Sequence, residues 1–275
     1  MQSIANELRF QALCALCVTD PAQKVAQTQA ISAQYHAGAL YLDTGISCTP
    51  AAGWPIPGRP VKPELVPPLK VKRRTMSTPE GRAVLLHALT HIEFNAINLA
   101  LDAIWRFRDM PREYYEDWLK VAVEEALHFV LLSSHLNGLG YEYGDFPGHD
   151  TLWEMVAKTQ DDVLARMALV PRTMEARGLD AAPGTYNKLK QVGDVAGAAI
   201  IEIILRDEIG HVAIGNRWFG YLCRQRGLDP VDCYAELAVR YRAPRLRGPF
   251  NLEARRAAGF SDAEMRILSD RVDQK

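Results

Sequence analysis

The sequence predicts an all-α fold: a bundle of four long helices with helical additions at both ends. Three observations predict it. Apolar residues recur at helical spacing through four long segments between residues 79 and 227, and no segment alternates as a strand would. Capping residues and breakers fall near the segment ends. Finally, "VEEALHF" at 123–129 returns 83 residues later as "RDEIGHV" at 206–212, each placing a Glu and a His three apart within an apolar segment.

Bulk properties set the class. The 275 residues are 48% hydrophobic and 24% charged, with a formal net charge of −1. That balance suits a globular chain and supplies no global field for nucleic acid or an anionic membrane. Five cysteines, an odd and sparse set, point to reduced thiols and a cytoplasmic home. The N-terminus lacks a basic start, and no window approaches about 18 uninterrupted apolar residues, so neither a targeting segment nor a transmembrane helix is expected.

Residues 3–17 and 22–35 have helical periodicity, separated at Pro21. Residues 48–70 hold seven of the 16 prolines, which fix φ and remove N–H donors. An extended strap is expected there. Thr78 as N-cap and Pro79 at the first helical position start a helix running to about Phe107. A second follows Pro111, over roughly 112–137, closed by Gly138 and Gly140. "YEYGDFPGHD" forms a loop. A third spans about 151–178, bent or broken at Pro171, and "GLDAAPGT" forms another loop. A fourth starts between Tyr186 and Asp194 and ends near Gly227. Short helices are expected in the tail, with Ser261 and Glu264 as a capping box. The predicted organisation is thus 1–75 (N-terminal helices and strap), 76–227 (bundle) and 228–275 (a helical extension packed on the bundle).

Residues three apart on a helix share a face, so Glu125 pairs with His128 and Glu208 with His211. Both pairs lie on apolar stripes and point inward, where an unpaired carboxylate or imidazole is costly. One such pair could be a satisfied core hydrogen bond; two copies are better explained by a pair of metal ions. A di-metal carboxylate site also needs one Glu from each of the other two helices. Glu93 lies on the apolar stripe of Leu86, Leu89, Ile97 and Ala100. The third helix offers Glu154 and Glu175, of which Glu175 continues the stripe of Val156, Leu164 and Met167. Glu93 then precedes Glu125 by 32 residues and Glu175 precedes Glu208 by 33, an internal duplication of ligands. Glu202 lies about 240° around the helix from Glu208 and is expected to pair with Arg206 on the surface. Glu124 and Asp207 are candidates to accept a hydrogen bond from the non-coordinating nitrogen of a ligand histidine. Solvated acids are the alternative.

The order Glu93, "EALH", Glu175, "EIGH" resembles the ferritin-like superfamily of di-iron carboxylate proteins. More closely, "HIEFNAINLALDAIWRF", "EEALHF", "YGDFPGHDTLWE", "LVPRTMEARGLD" and "RDEIGHVAIGNRWF" are similar to an uncharacterised ferritin-like family known mainly as a domain of unknown function. The similarity runs from the strap to the tail. It implies a ferritin-like bundle with additions at both ends, and it places the superfamily's ligands on Glu93, Glu125, His128, Glu175, Glu208 and His211. It supplies no substrate.

His87 and His91 share a polar stripe with Asn95, Asn98 and Asp102, expected to be a solvated or inter-helix face rather than a metal site. "CALC" at 14–17 is expected to be ordinary buried thiol. Tyr141, Tyr143 and Tyr186 could serve as redox tyrosines, but nothing places them near the ligands. The arginines of the tail, Arg240, Arg242, Arg245, Arg247, Arg255 and Arg256, are expected to dock it on bundle acids; the alternative is a clamp for an anionic substrate or RNA phosphate.

The expected function is a non-haem oxidoreductase with two metal ions, Fe or else Mn, that activates O₂ or peroxide to oxidise or hydroxylate an organic small molecule. An electron donor is a further expected partner; nucleic acid and membrane are not, and a homodimer is open. Catalytic and substrate-binding residues are unassigned. One rival is iron oxidation or peroxide detoxification of the ferritin or rubrerythrin type. Another is a non-catalytic metal-bound scaffold that binds a partner through its Arg-rich tail. The strap and tail are expected to lie across the bundle and restrict access to the metals.

Overall fold

The computed structural model describes residues 3–71 and 74–270, so parts of the predicted 1–75 and 228–275 regions lie outside the described residues. The protein is all-α. Among the described residues no strand forms, only two isolated bridges, Glu7 with Tyr41 and Leu65 with Gly148. The chain divides into two compact units, residues 1–150 and 151–275.

The first unit contains α1 (Leu8–Cys17), α2 (Pro21–His36), α3 (Pro79–Arg106) and α4 (Arg112–Gly138). The start of α3 is as the sequence dictates: the Thr78 side chain accepts from the Gly81 amide at 3.0 Å, and Pro79 occupies the first turn. α3 and α4 pack along their lengths, and α1 and α2 close over them. Arg9, on α1, is buried and donates to the Trp105 carbonyl at 3.1 Å, satisfying an orphan acceptor in the last turn of α3. α3 is long and apolar enough to cross a membrane, but 72% of its apolar window is buried within the protein, as in a core helix.

The strap runs between α2 and α3 without regular structure apart from a 3₁₀ turn at Pro68–Lys70. Hydrogen bonds and an ion pair pin it to the unit. The Gly58 amide donates to Leu16 at 2.8 Å, Arg59 pairs with Asp150 at 2.6 Å, and Val66 and Gly148 donate to Gly148 and Glu64 at 2.9 Å each. Gly58 lies so close to the end of α1 that a Cβ would sit 2.2 Å from the Cys17 carbonyl oxygen. Gly58→Ala should therefore lift the strap or distort α1 and cost about 1–3 kcal/mol, the usual range for overpacking. Chemical denaturation checks this; an unchanged midpoint would show that the strap is not held there.

The second unit contains α5 (Thr151–Lys158), α6 (Val163–Leu169), a π-helical turn (Val170–Glu175), α7 (Ala176–Gln191), α8 (Val195–Arg226), α9 (Pro230–Arg240), α10 (Leu252–Ala257) and α11 (Asp262–Asp270). The third predicted helix, 151–178, is thus corrected twice. It breaks at 159–162, where buried Arg166 donates to Thr159 Oγ1 at 2.9 Å and to the Val156 carbonyl at 2.7 Å, capping α5 from the next helix. It then continues past 178. Proline 171 widens the helix instead of ending it: the Ala176 amide bonds to the Pro171 carbonyl five residues back, and the Thr173 hydroxyl takes the Ala168 carbonyl at 2.9 Å.

The predicted loop "GLDAAPGT" is helical, part of α7, with Pro183 inside it. Proline at that position frees the carbonyl of Leu179, four residues back. The Asn251 side chain, from the tail, donates to that carbonyl at 3.2 Å. Within this unit the tail packs on α7 and α8, and of its arginines Arg255 makes the expected pair with an acid. Ala254 and Ala258 join Ala176, Leu179 and Val212 in one core cluster, and Arg255 pairs with Asp180 at 2.6 Å. The Ser261–Glu264 capping box forms.

Candidate metal centre

α3 and α4 bring three of the predicted ligands together. Glu93 is 4% exposed, and Glu125 and His128 are fully buried. One imidazole nitrogen, His128 Nδ1, faces both acids: Glu93 Oε2 at 3.4 Å and Glu125 Oε2 at 3.3 Å. The donor atoms of all three lie within 4.8 Å of one another. This buried group could hold a metal ion.

The spacing fits one. Two ligands each about 2.1 Å from a metal, at roughly 90–110°, stand about 3.0–3.4 Å apart. The electrostatics fit as well. Burial, then the Glu125 charge, holds the Glu93 carboxyl well above the usual carboxylate range. Burial pushes His128 down, but hydrogen bonds and charges from Glu125 and Glu93 prevail and raise it to about 11. Two acids that close in a dry interior demand compensating positive charge, and in the metal-free protein protons supply it.

In the second unit α8 carries Glu208, 8% exposed, and His211, fully buried, with His211 Nδ1 3.8 Å from Glu208 Oε1. Glu175, 8% exposed, is the last residue of the π turn, whereas Glu154 is exposed. The turn packs on α8 at a glycine: a Cβ on Gly215 would lie 2.6 Å from the Pro171 ring. The π turn thus sets where Glu175 sits relative to Glu208 and His211. Such widened turns are frequent at functional sites.

Other predicted residues have local partners. Glu124 pairs with Lys120 at 2.5 Å. Arg206 pairs with Asp207 at 2.8 Å, correcting its expected bond to Glu202, which is exposed. The adjacent carboxylate competes better because two guanidinium nitrogens reach it.

The His87–His91 face is buried, not solvated. His91 Nδ1 meets the Tyr143 hydroxyl at 2.9 Å and its Nε2 the His149 carbonyl at 3.2 Å, while His87 Nε2 accepts from the Gly144 amide at 2.9 Å. Burial pushes both histidines down to about 4. They are neutral and hold the 141–150 loop.

Sequence reasoning named Tyr143 without placing it and missed Lys24. Tyr143 stacks on both histidines and packs against Phe94 and Phe129, the residues that follow Glu93 and His128. Buried Lys24 lies 5.3 Å over the Phe94 ring, and burial pushes its amine down to about 7. The signal for Lys24 was its place on the inward stripe of α2 with Thr28 and Ile31. Tyr143 stands in a loop and left no periodic trace.

Residues 17–266 match the model of a family described as a protein of unknown function, DUF455. The chain belongs to this family. A relative from Haemophilus influenzae, described as an uncharacterized protein, is 51% identical over 213 residues, which cover 75% of this chain and 74% of that one. No solved structure matches the chain.

Proposed function

We propose that this DUF455 protein is a ferritin-like di-metal oxidoreductase. Glu93, Glu125 and His128 supply one half of the ligand set, and Glu175, Glu208 and His211 the other, for two ions of Fe or of Fe with Mn. The observation that carries this is the buried group on α3 and α4, where two carboxylates face one imidazole nitrogen at 3.3 and 3.4 Å. The sequence duplication extends it to the second half, whose Glu and His are also buried. A set of four carboxylates and two imidazoles suits Fe or Mn. Bound there, the ions would supply O₂ or peroxide activation for oxidation or hydroxylation of an organic small molecule. The chain's own contribution is a fixed, dry ligand cage, its acids held by burial and by the π turn. Five free thiols are in keeping with a reducing, cytoplasmic setting.

Elemental analysis of protein purified without chelator tests the metal directly. Iron turnover then separates an oxygenase from iron storage. Given excess Fe²⁺ and air, an enzyme should oxidise about two irons per chain and stall. Sustained oxidation into a soluble core of hundreds of irons per assembly would establish storage instead.

A further inference from the structure

The second unit contains a cavity of about 470 Å³ lined by none of the six proposed ligands. It lies among α9, the segment after it and α11. Its walls are mostly apolar, with Ala235, Ala238, Leu246 and Leu268 among them. Two of its apolar lining residues face solvent: Val239 is 80% exposed and Ile267 is 40% exposed. A cavity of this size and character is typical of small-molecule sites.

Charge is concentrated in one sign. Four arginines line the cavity, Arg172, Arg242, Arg245 and Arg255, against one acid, Glu264. Arg242 and Arg245 are exposed. Arg242 follows α9 at φ 53°, a left-handed position where helices usually place glycine. Arg172 and Arg255 are 3% and 0% exposed.

These two buried guanidiniums are only partly used. Arg172 donates through Nε to Asn216 and through Nη2 to Glu264. Arg255 donates through Nε to Asp180 at 2.9 Å and through Nη2 to Asp180 at 2.6 Å and the Ala176 carbonyl at 3.3 Å. In each, Nη1 is buried with no hydrogen-bond partner. A buried cationic donor left unsatisfied is costly and marks a place for an acceptor. Both guanidiniums approach the same ring, Phe260, at 5.3 and 5.2 Å, so both stand beside one wall residue of the cavity.

We propose that this cavity binds a single-headed anionic amphiphile, an acyl-type chain lying along the apolar wall with its carboxylate at Arg172 and Arg255. Each of these arginines already holds one carboxylate of the protein and has one N–H donor group left. That remaining capacity suits a monoanionic carboxylate better than a dianionic phosphate with three acceptor oxygens. The inference does not rest on the metal: none of the lining residues belongs to the six ligands.

Dodecanoate is the probe, titrated calorimetrically into the full chain below its micellar concentration, in chelator and again with Mn²⁺. Saturable one-to-one binding is expected in both, with dodecanol and inorganic phosphate each at least about ten-fold weaker. Ala238→Trp, which fills the wall from α9, should abolish binding while leaving the circular dichroism spectrum unchanged. Joint replacement of Arg242 and Arg245 by Gln should weaken it by about three-fold or more. Three results would overturn the proposal: no saturable binding by about 1 mM, equal affinity for dodecanol, or undiminished binding by Ala238→Trp. Binding to anionic vesicles without binding of monomeric dodecanoate would overturn it too, and would assign the arginines to a membrane surface.

Discussion

Glu208→Ala and Glu125→Ala should each lower metal affinity by at least about 100-fold, more than the 10–100-fold that losing an outer hydrogen-bond partner costs. Glu202→Ala should leave metal content at the wild-type level. Glu202 and Glu208 are six residues apart on α8, one exposed and one buried, so the pair controls for loss of a charge from the same helix. Elemental analysis after passage over a desalting column reads the result. Loss of all metal in Glu125→Ala with full retention in Glu208→Ala would confine the metal to the α3–α4 group. Equal loading of all three variants would remove both halves of the ligand set. Glu125→Ala also removes an acid that bonds buried His128, so its metal-free form should be less stable than metal-free wild type, and circular dichroism before loading separates unfolding from loss of a ligand.

The long helices were legible because their signals are local. Thr78 and Pro79 mark the start of α3, and the inward stripes of Glu93, Glu125 and Glu208 follow from a period of 3.6 residues. The break at 159–162 had a local mark beneath the helical period: the Asp162 side chain accepts from the Leu164 amide at 3.0 Å and starts α6. The rest of what escaped was decided by distant partners. Nothing near Pro183 reveals that Asn251, some 70 residues on, will take the carbonyl that the proline frees. The polar stripe of α3 was visible from its spacing, but its burial depends on Tyr143 and the 141–150 loop, which carry no periodicity. For the same reason the candidate acids could be picked out from sequence, while the π turn that positions Glu175 could be seen only as a disturbance at Pro171.

Metal-free protein should lose stability as pH rises, and metal should restore more of it the higher the pH. The folded protein holds His128 at about 11 against an ordinary 6.5, and Glu93 well above 4.5. A group whose pKa is raised on folding binds its proton more tightly in the native state. Its stabilising contribution is complete below the unfolded pKa and declines as pH passes toward the folded one. For Glu93 the decline begins above 4.5, and for His128 it begins above 6.5 and is complete only beyond about 11. Between pH 6 and 9 the two effects share a sign, so the melting temperature of chelated protein should fall across that interval. Metal ions require the deprotonated acids and a neutral imidazole, so they replace these protons and bind more tightly as pH increases. The rise in melting temperature on adding saturating Mn²⁺ should therefore grow from pH 6 to pH 9, and His128→Gln should flatten both curves. A metal-induced rise that shrinks with pH, or a chelated protein that becomes more stable toward pH 9, would mean that the His128 proton is not what metal displaces.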